Sequence, residues 1–351
     1  MVWAKPEQSR SQVDKAGRII TSDIPCDNST FIKALDVVNN WRSSHNYPLN
    51  TFKVTLRRYA QKVDSHCLVA QRIKRLSSIE HKLHRFKGMQ LSRMQDLGGC
   101  RAIVNSIAQV NKLVKKYEKS DIKHKLDDKD DYIKNPKESG YRGIHLIYKY
   151  FSDKKSPSVL IYNGLKIEVQ IRTRLQHAWA TAVETVGTLR KEALKSSIGE
   201  EKWLRFFQLM GSVIALREKS KVLVPNTPSE KAALIKELRQ LTSDLDVIKS
   251  LKMYGDVLKV GEQAAKKGDD YFLLKLEPSE QRMTVIGFKK KQLEEASAAY
   301  LKIEREITDI PGADAVLVAV DSISSLRKAY PNYFLDTEVF LTVLSDAVKR
   351  A

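Results

Sequence analysis

Residues 165–173 read LKIEVQIRT, and the alternation inside that stretch constrains the chain more than any other feature. Ile167, Val169 and Ile171 fall on one side of a strand, and Glu168, Gln170 and Arg172 on the other. Side chains on one strand face repeat about every 6.7 Å, so the polar face carries an acid, an amide and a guanidinium in a row. An edge strand facing water would tolerate that pattern. A strand inside a sheet would make it the floor of a polar site. The next segment, RLQHAWATAVE, has helical spacing and brings Gln176, His177, Trp179 and Glu184 to the strand's C-terminal end, which favours the second reading.

The rest of the chain is consistent with a strand packed between helices. Apolar spacing predicts helices over roughly 29–47, 50–65, 75–88, 107–118, 173–188 and 200–219. Strand-like runs lie at 100–104, 144–151, 159–162 and 165–172, with Asn163-Gly164 as a hairpin turn between the last two. Beyond residue 224 the pattern predicts helices at 230–251 and 253–267, strands at 271–276 and 283–288, a helix at 289–305, a strand at 315–320 and a last helix at 337–349. The expected fold class is α+β: a mixed sheet flanked by helices, followed by a smaller α+β unit.

Charge divides the chain at the same place. Residues 1–224 hold 42 Lys+Arg against 22 Asp+Glu, a net of +20, and residues 225–351 hold 19 against 20. The break coincides with VPNTPSE (224–230), whose prolines and small polar residues read as a linker. Two domains, 1–224 and 225–351, are therefore expected, the first with a polyanionic partner. The three cysteines, Cys26, Cys67 and Cys100, are widely spaced and suggest neither disulfides nor a zinc site. No apolar run is long enough to span a membrane and MVWAKPEQSR lacks a signal-peptide core, so a cytoplasmic location is expected.

The chemistry concentrates between residues 72 and 184. In MQDLGGCRAIV, Asp96 precedes two glycines and a strand bearing Arg101; the glycines permit close approach of a ligand, and Asp96 with Glu168 could share one Mg2+ together with substrate phosphates. QRIKRLSSIEHKL supplies Arg72, Lys74, Arg75 and Lys82, cations of the kind a triphosphate needs. DDYIKNPKESGYRGIH adds Lys134, Lys137, Tyr141, Arg142 and His145 beside two glycines, offering a ring for base stacking and cations for phosphate. No P-loop, GxGxxG or HExxH pattern is present.

RIKRLSSIEHKL, DLGGCRAIV, GYRGIH and EVQIRTRLQHAWA, in that order over about 110 residues, resemble the synthetase domain of the RelA/SpoT family, which transfers pyrophosphate from ATP to a nucleotide hydroxyl. The resemblance implies that Arg72 and Arg101 sandwich the ATP adenine, Lys74 and Lys82 hold its phosphates, and Asp96 and Glu168 bind Mg2+, with Glu168 also activating the attacking hydroxyl. It places Tyr141 against the acceptor base and Arg142, His145 and Gln170 along the acceptor side. His177 stands where alarmone-making relatives commonly carry a guanine-reading asparagine, which opens the question of the acceptor.

No His-Asp dipeptide of the family's hydrolase module occurs in the chain. The net +20 of residues 1–224 favours a large polyanionic acceptor over a free nucleotide, and KPEQSRSQVDKAG resembles the opening of the toxic group that pyrophosphorylates the 3′ end of tRNA. The expected acceptor is tRNA, with GDP or GTP as the alternative and a catalytically inactive RNA-binding regulator as the non-enzyme reading. AVLVAVDSISSLRKAYPNYFLDT (315–337) resembles the antitoxin region of fused CapRel-type toxin–antitoxin proteins. That resemblance implies a domain like a zinc finger without metal, a Y-x-x-Y element (Tyr330, Tyr333) that blocks the ATP site, and release by a phage protein. A module delivering the enzyme to RNA is the other reading of 225–351. Phe334 is expected in the core.

Overall fold

The computed structural model describes residues 3–24, 26–154, 156–190, 194, 200–257, 259–261, 268–277, 280, 282–307, 310, 313–320, 323–334 and 337–349. Three N-terminal helices, α1 (Arg10–Ile20), α2 (Asn28–Ser44) and α3 (Asn46–Gln61), lead into β1 (Leu68–Ile73). Ser9 starts α1 through a capping box with Gln12, each side chain binding the other's backbone N–H. Then come α4 (Leu76–Arg85), β2 (Gly98–Val104), α5 (Ile107–Glu118), β3 (Lys125–Asp131), β4 (Ile144–Lys149), α6 (Pro157–Leu160), β5 (Lys166–Thr173), α7 (Arg174–Arg190) and α8 (Glu201–Arg217). Beyond residue 224 follow α9 (Lys231–Asp244), α10 (Val247–Val257), β6 (Lys259–Gly261), β7 (Tyr271–Glu277), β8 (Arg282–Phe288), α11 (Leu293–Glu306), β9 (Asp314–Ala319), α12 (Ile323–Ala329) and α13 (Glu338–Lys349).

The described strands form one mixed sheet in the order β3-β4-β5-β2-β1-β9-β7-β8-β6. The α+β class expected from the sequence is the class observed. Gln71 and Arg72 of β1 pair with Ala319 and Val318 of β9, so the sheet runs on from residues 68–173 into residues 259–319. The parallel β2/β5 pair sits inside it, flanked by antiparallel β1 and β4. The apolar side of β5 (Ile167, Val169, Ile171) is buried against a core that includes Leu49, Phe52 and Leu56 of α3 and Val110 and Leu113 of α5. Gly98 lets α3 come close: a Cβ there would lie 2.8 Å from Ile167 Cδ1 and 3.3 Å from His45 Cβ. The opposite, polar side of β5 is left for the site.

Several expectations are corrected. Residues 159–162 are no strand: Pro157 opens the single helical turn α6, and Gly164, at φ +86°, closes the turn into β5. The hairpin partner of β5 is β4, and Asn163-Gly164 joins a helical turn to a strand. The expected helix 230–251 breaks at Asp246, at φ +46°. The expected helix 253–267 gives way to β6 at 259–261; residues 258 and 262–267 lie outside the described residues.

Candidate active site

Strand register assembles the site. Arg72 lies beside Gly99 and Gly99 beside Glu168; one step along, Arg101 lies beside Gln170 and Gln170 beside His145. Four strands thus present two adjacent rows of polar side chains on one face. Gly99 keeps that face open: a Cβ there would meet only Glu168 Oε2, at 3.8 Å.

Asp96, in the loop before β2, takes Lys74 Nζ at 2.8 Å on one oxygen and Lys82 Nζ at 2.9 Å on the other. Burial works against its ionised form, but the two ammonium groups outweigh burial and hold its carboxyl far below the usual range. Burial also pulls the Lys74 pKa down, against the raising effect of Asp96. Lys82 reaches this point because α4 begins at residue 76, directly after β1 ends at Ile73.

Glu168 takes His145 Nδ1 on Oε1 at 2.9 Å and Gln170 Nε2 on Oε2 at 2.6 Å. Tyr141 Oη sits 2.6 Å from His145 Nε2. Burial disfavours the imidazolium, but Tyr141 and Glu168 more than offset it and raise the His145 pKa to about 9. Protonated His145 therefore donates to Glu168 from Nδ1 and to Tyr141 from Nε2. Burial raises the Glu168 pKa, His145 lowers it by more, and the net shift is downward; the charge of Asp96 also acts on Glu168. Two carboxylates that interact through their charges, with open space at Gly99, suit a hard cation completed by phosphate oxygens and water. Their oxygens here are engaged by Lys74, Lys82, His145 and Gln170. Among the described residues no three or more His, Cys, Asp or Glu side chains cluster as a metal site.

The remaining expected residues divide. Tyr141 is buried, its ring edge-on to Tyr132, His145 and Trp179, so stacking on a base requires it to move. Arg142 is not brought to the site in this arrangement. It is buried, and it donates to the carbonyls of Val222 and Ile133 and to Ser220 Oγ, tying the 133–143 loop to the chain after α8. Burial and the neighbouring Arg172 and Arg101 hold His177 well below its usual pKa. Neutral His177 donates from Nε2 to the Lys328 carbonyl at 3.2 Å, and its Nδ1 has no partner among the described residues.

Tyr330 is 1% exposed and lies on the same face. The Arg101 guanidinium stands 5.0 Å from its ring centre, and its hydroxyl donates to the Gln71 carbonyl at 3.1 Å. The Tyr333 backbone belongs to the 3-10 turn 331–334, and its side chain lies outside the described residues. Phe334 is buried with Tyr330, Phe272 and Val318, as expected of a core residue. The backbone carbonyls in these contacts, that of Gln71 to Tyr330 and that of Lys328 to His177, were beyond sequence reasoning, because a carbonyl carries no residue signature. A second polar contact was missed too: Glu304 of α11 pairs with buried Arg42 at 2.9 Å and accepts from the Leu76 N–H that opens α4.

Residues 71–187 match the family model described as a region found in RelA / SpoT proteins. Over 116 residues the chain is 32% identical to the GTP pyrophosphokinase YjbM of Bacillus subtilis (strain 168), a match covering 32% of this chain and 52% of the relative. The chain thus spans about half the length of that curated relative. Among solved structures it is similar to small alarmone synthetase 2 of Bacillus subtilis, at 21% identity and a TM-score of 0.43 over 51% of this chain and 93% of that one. Small alarmone synthetase 1 of the same organism, bound to its product pppGpp, follows at 25% identity and a TM-score of 0.42, over 50% and 89%. No described helix is long and apolar enough to cross a membrane.

Proposed function

We propose that residues 1–224, which contain this RelA/SpoT region, are an ATP-dependent pyrophosphokinase, and that residues 225–351 hold it in an inhibited state. The observation that carries the reading is a pair of carboxylates that interact through their charges beside open space at Gly99: Asp96 between Lys74 and Lys82, and Glu168 between His145 and Gln170. Phosphoryl-type transfer rests on positioning and charge neutralisation, and this arrangement supplies both. Lys74 and Lys82 would exchange Asp96 for the ATP phosphates, with Arg72 and Arg101 at the adenine. Asp96 and Glu168 would hold Mg2+, which supplies charge neutralisation at the polyphosphate. Glu168 would accept the proton of the attacking hydroxyl, and His145 would orient it. Gln170, Tyr141 and His177 would line the acceptor side, with Arg142 supporting that wall from behind.

The acceptor we propose is the 3′ end of tRNA, supported by the net +20 of residues 1–224. The name of the curated relative, a GTP pyrophosphokinase, favours GDP or GTP as the second reading. Tyr330 would occupy the adenine position by stacking on Arg101, and a phage protein bound by residues 225–351 would release it. The test is incubation of Tyr330→Ala protein with γ-labelled ATP and either tRNA or GDP. Label in tRNA is expected; label in GDP alone would move the acceptor to the nucleotide, and label in neither would remove the enzyme reading.

A further inference from the structure

Arg172 ends the polar face of β5 and is 2% exposed, yet its guanidinium is poorly satisfied. Nη2 donates to Gln170 Oε1 at a long 3.3 Å, and Nε and Nη1 have no partner among the described residues. Burial first, and then the charge of Arg101, pull its pKa down to about 10; Arg72 adds to the repulsion, while Tyr141 and Glu184 act the other way. Arg101 Nε and His177 Nδ1, close by, are also without partners among the described residues. A buried cation short of hydrogen bonds and crowded by like charge is costly. That cost makes sense where the intended partner is an anion that enters only when the site opens. The occupants of the adjoining space are the Tyr330 ring and the Lys328 carbonyl.

We propose that Arg172 binds a phosphate of the acceptor substrate in the space beside His177 that the Lys328 carbonyl vacates, next to the adenine position that Tyr330 fills. A guanidinium offers paired donors matched to two phosphate oxygens, and Nε with a terminal nitrogen is such a pair. Position assigns the phosphate to the acceptor rather than to ATP. The ammonium groups of Lys74 and Lys82 meet at Asp96, just before β2 begins at Gly98, which is level with Ile167 in the register, whereas Arg172 is level with Ile103, near the other end of β2. Strand spacing separates the Cα atoms of Glu168 and Arg172 by about 13 Å. Arg172 lies instead beside Tyr141: a Cβ on Gly143 would be 3.4 Å from Tyr141 Oη and 3.6 Å from Arg172 Cβ. The inference rests on the pyrophosphokinase reading only for the word acceptor. The phosphate could be the diphosphate of a free nucleotide or the last phosphodiester of an RNA, and the experiment separates them.

Equilibrium binding of GDP, deacylated tRNA and ATP is measured on Tyr330→Ala protein, in which the open form is more populated, with and without Arg172→Gln. The acceptor that binds the parent should bind the double variant at least tenfold more weakly, ATP should bind both alike, and the unliganded melting temperature should hold or rise, since an unsatisfied charge is removed. Guanosine, which lacks phosphate, should show no loss. A tenfold loss for tRNA assigns the phosphodiester, and one for GDP assigns the diphosphate. Unchanged acceptor binding, a loss confined to ATP, or a lowered melting temperature would overturn the assignment. Binding of neither acceptor by the parent refutes the acceptor reading and this inference together. Arg172→Lys, which keeps the charge without the fork, should fall between the two.

Discussion

Replacing Tyr330 by alanine removes a ring stacked 5.0 Å from the Arg101 guanidinium and a hydroxyl bonded to the Gln71 carbonyl. The desolvated cation–π contact contributes about 1–2 kcal/mol and the hydrogen bond about 1 kcal/mol. Losing both shifts the balance between closed and open states by about 2–3 kcal/mol, which raises the open fraction roughly thirty- to over a hundredfold while the closed form still dominates. Pyrophosphate transfer by full-length protein should rise by that factor, read as initial rates with saturating ATP. Tyr330→Phe keeps the ring and should recover all but about fivefold, the share of the hydroxyl. Phe334→Ala is the control, because Phe334 is buried in the same cluster but its guanidinium neighbour is Arg327, at 5.2 Å, rather than Arg101. The reasoning fails if Tyr330→Ala, still folded, is no more active than wild type, or if Phe334→Ala activates equally.

Three further outcomes follow from the same geometry. Arg142→Met should destabilise the fold by about 2–4 kcal/mol, seen as a lower melting temperature, because three hydrogen bonds holding residues 133 and 220–222 are lost; an unchanged melting temperature with a raised acceptor KM would put Arg142 on the substrate instead. His145, with its pKa raised from 6.5 to about 9, should contribute stability that is complete below pH 6.5 and lost as pH rises toward 9, on the order of 3 kcal/mol at most, and urea titrations of His145→Gln should lack that slope. If tRNA is the acceptor, its KM should climb steeply with salt, whereas a KM that barely responds would favour a free nucleotide.

Much of the site was legible before the structure because it lies on regular strands. The alternation in residues 166–172 put Glu168, Gln170 and Arg172 on one face, and the register of β2 against β5 then set Gly99 and Arg101 beside them. The strands missed were β1, β3 and β6; β1, LVAQRI, carries Arg72 but does not alternate strictly between apolar and polar residues. β3, KLDDKDD, is an edge strand whose side chains are mostly exposed, so nothing in its composition separates it from a loop. Residues 159–162 have strand composition, yet Pro157 and the left-handed Gly164 turn them into a helical turn. Arg142 illustrates the limit of reading roles from motifs. Its place beside Tyr141 suggested substrate, but its side chain runs the other way, into the carbonyl of Ile133 in its own loop and that of Val222 from distant chain.

The central claim is that Asp96, Lys74, Lys82 and Glu168 form a pyrophosphate-transfer centre, and the nucleotide left behind tests it most directly. Tyr330→Ala protein supplied with ATP, Mg2+ and tRNA should release AMP in a one-to-one ratio with tRNA gaining the γ-label, and Tyr330→Ala with Glu168→Gln should release none. Release of ADP instead of AMP, or AMP formation that persists in the Glu168→Gln protein, would contradict it.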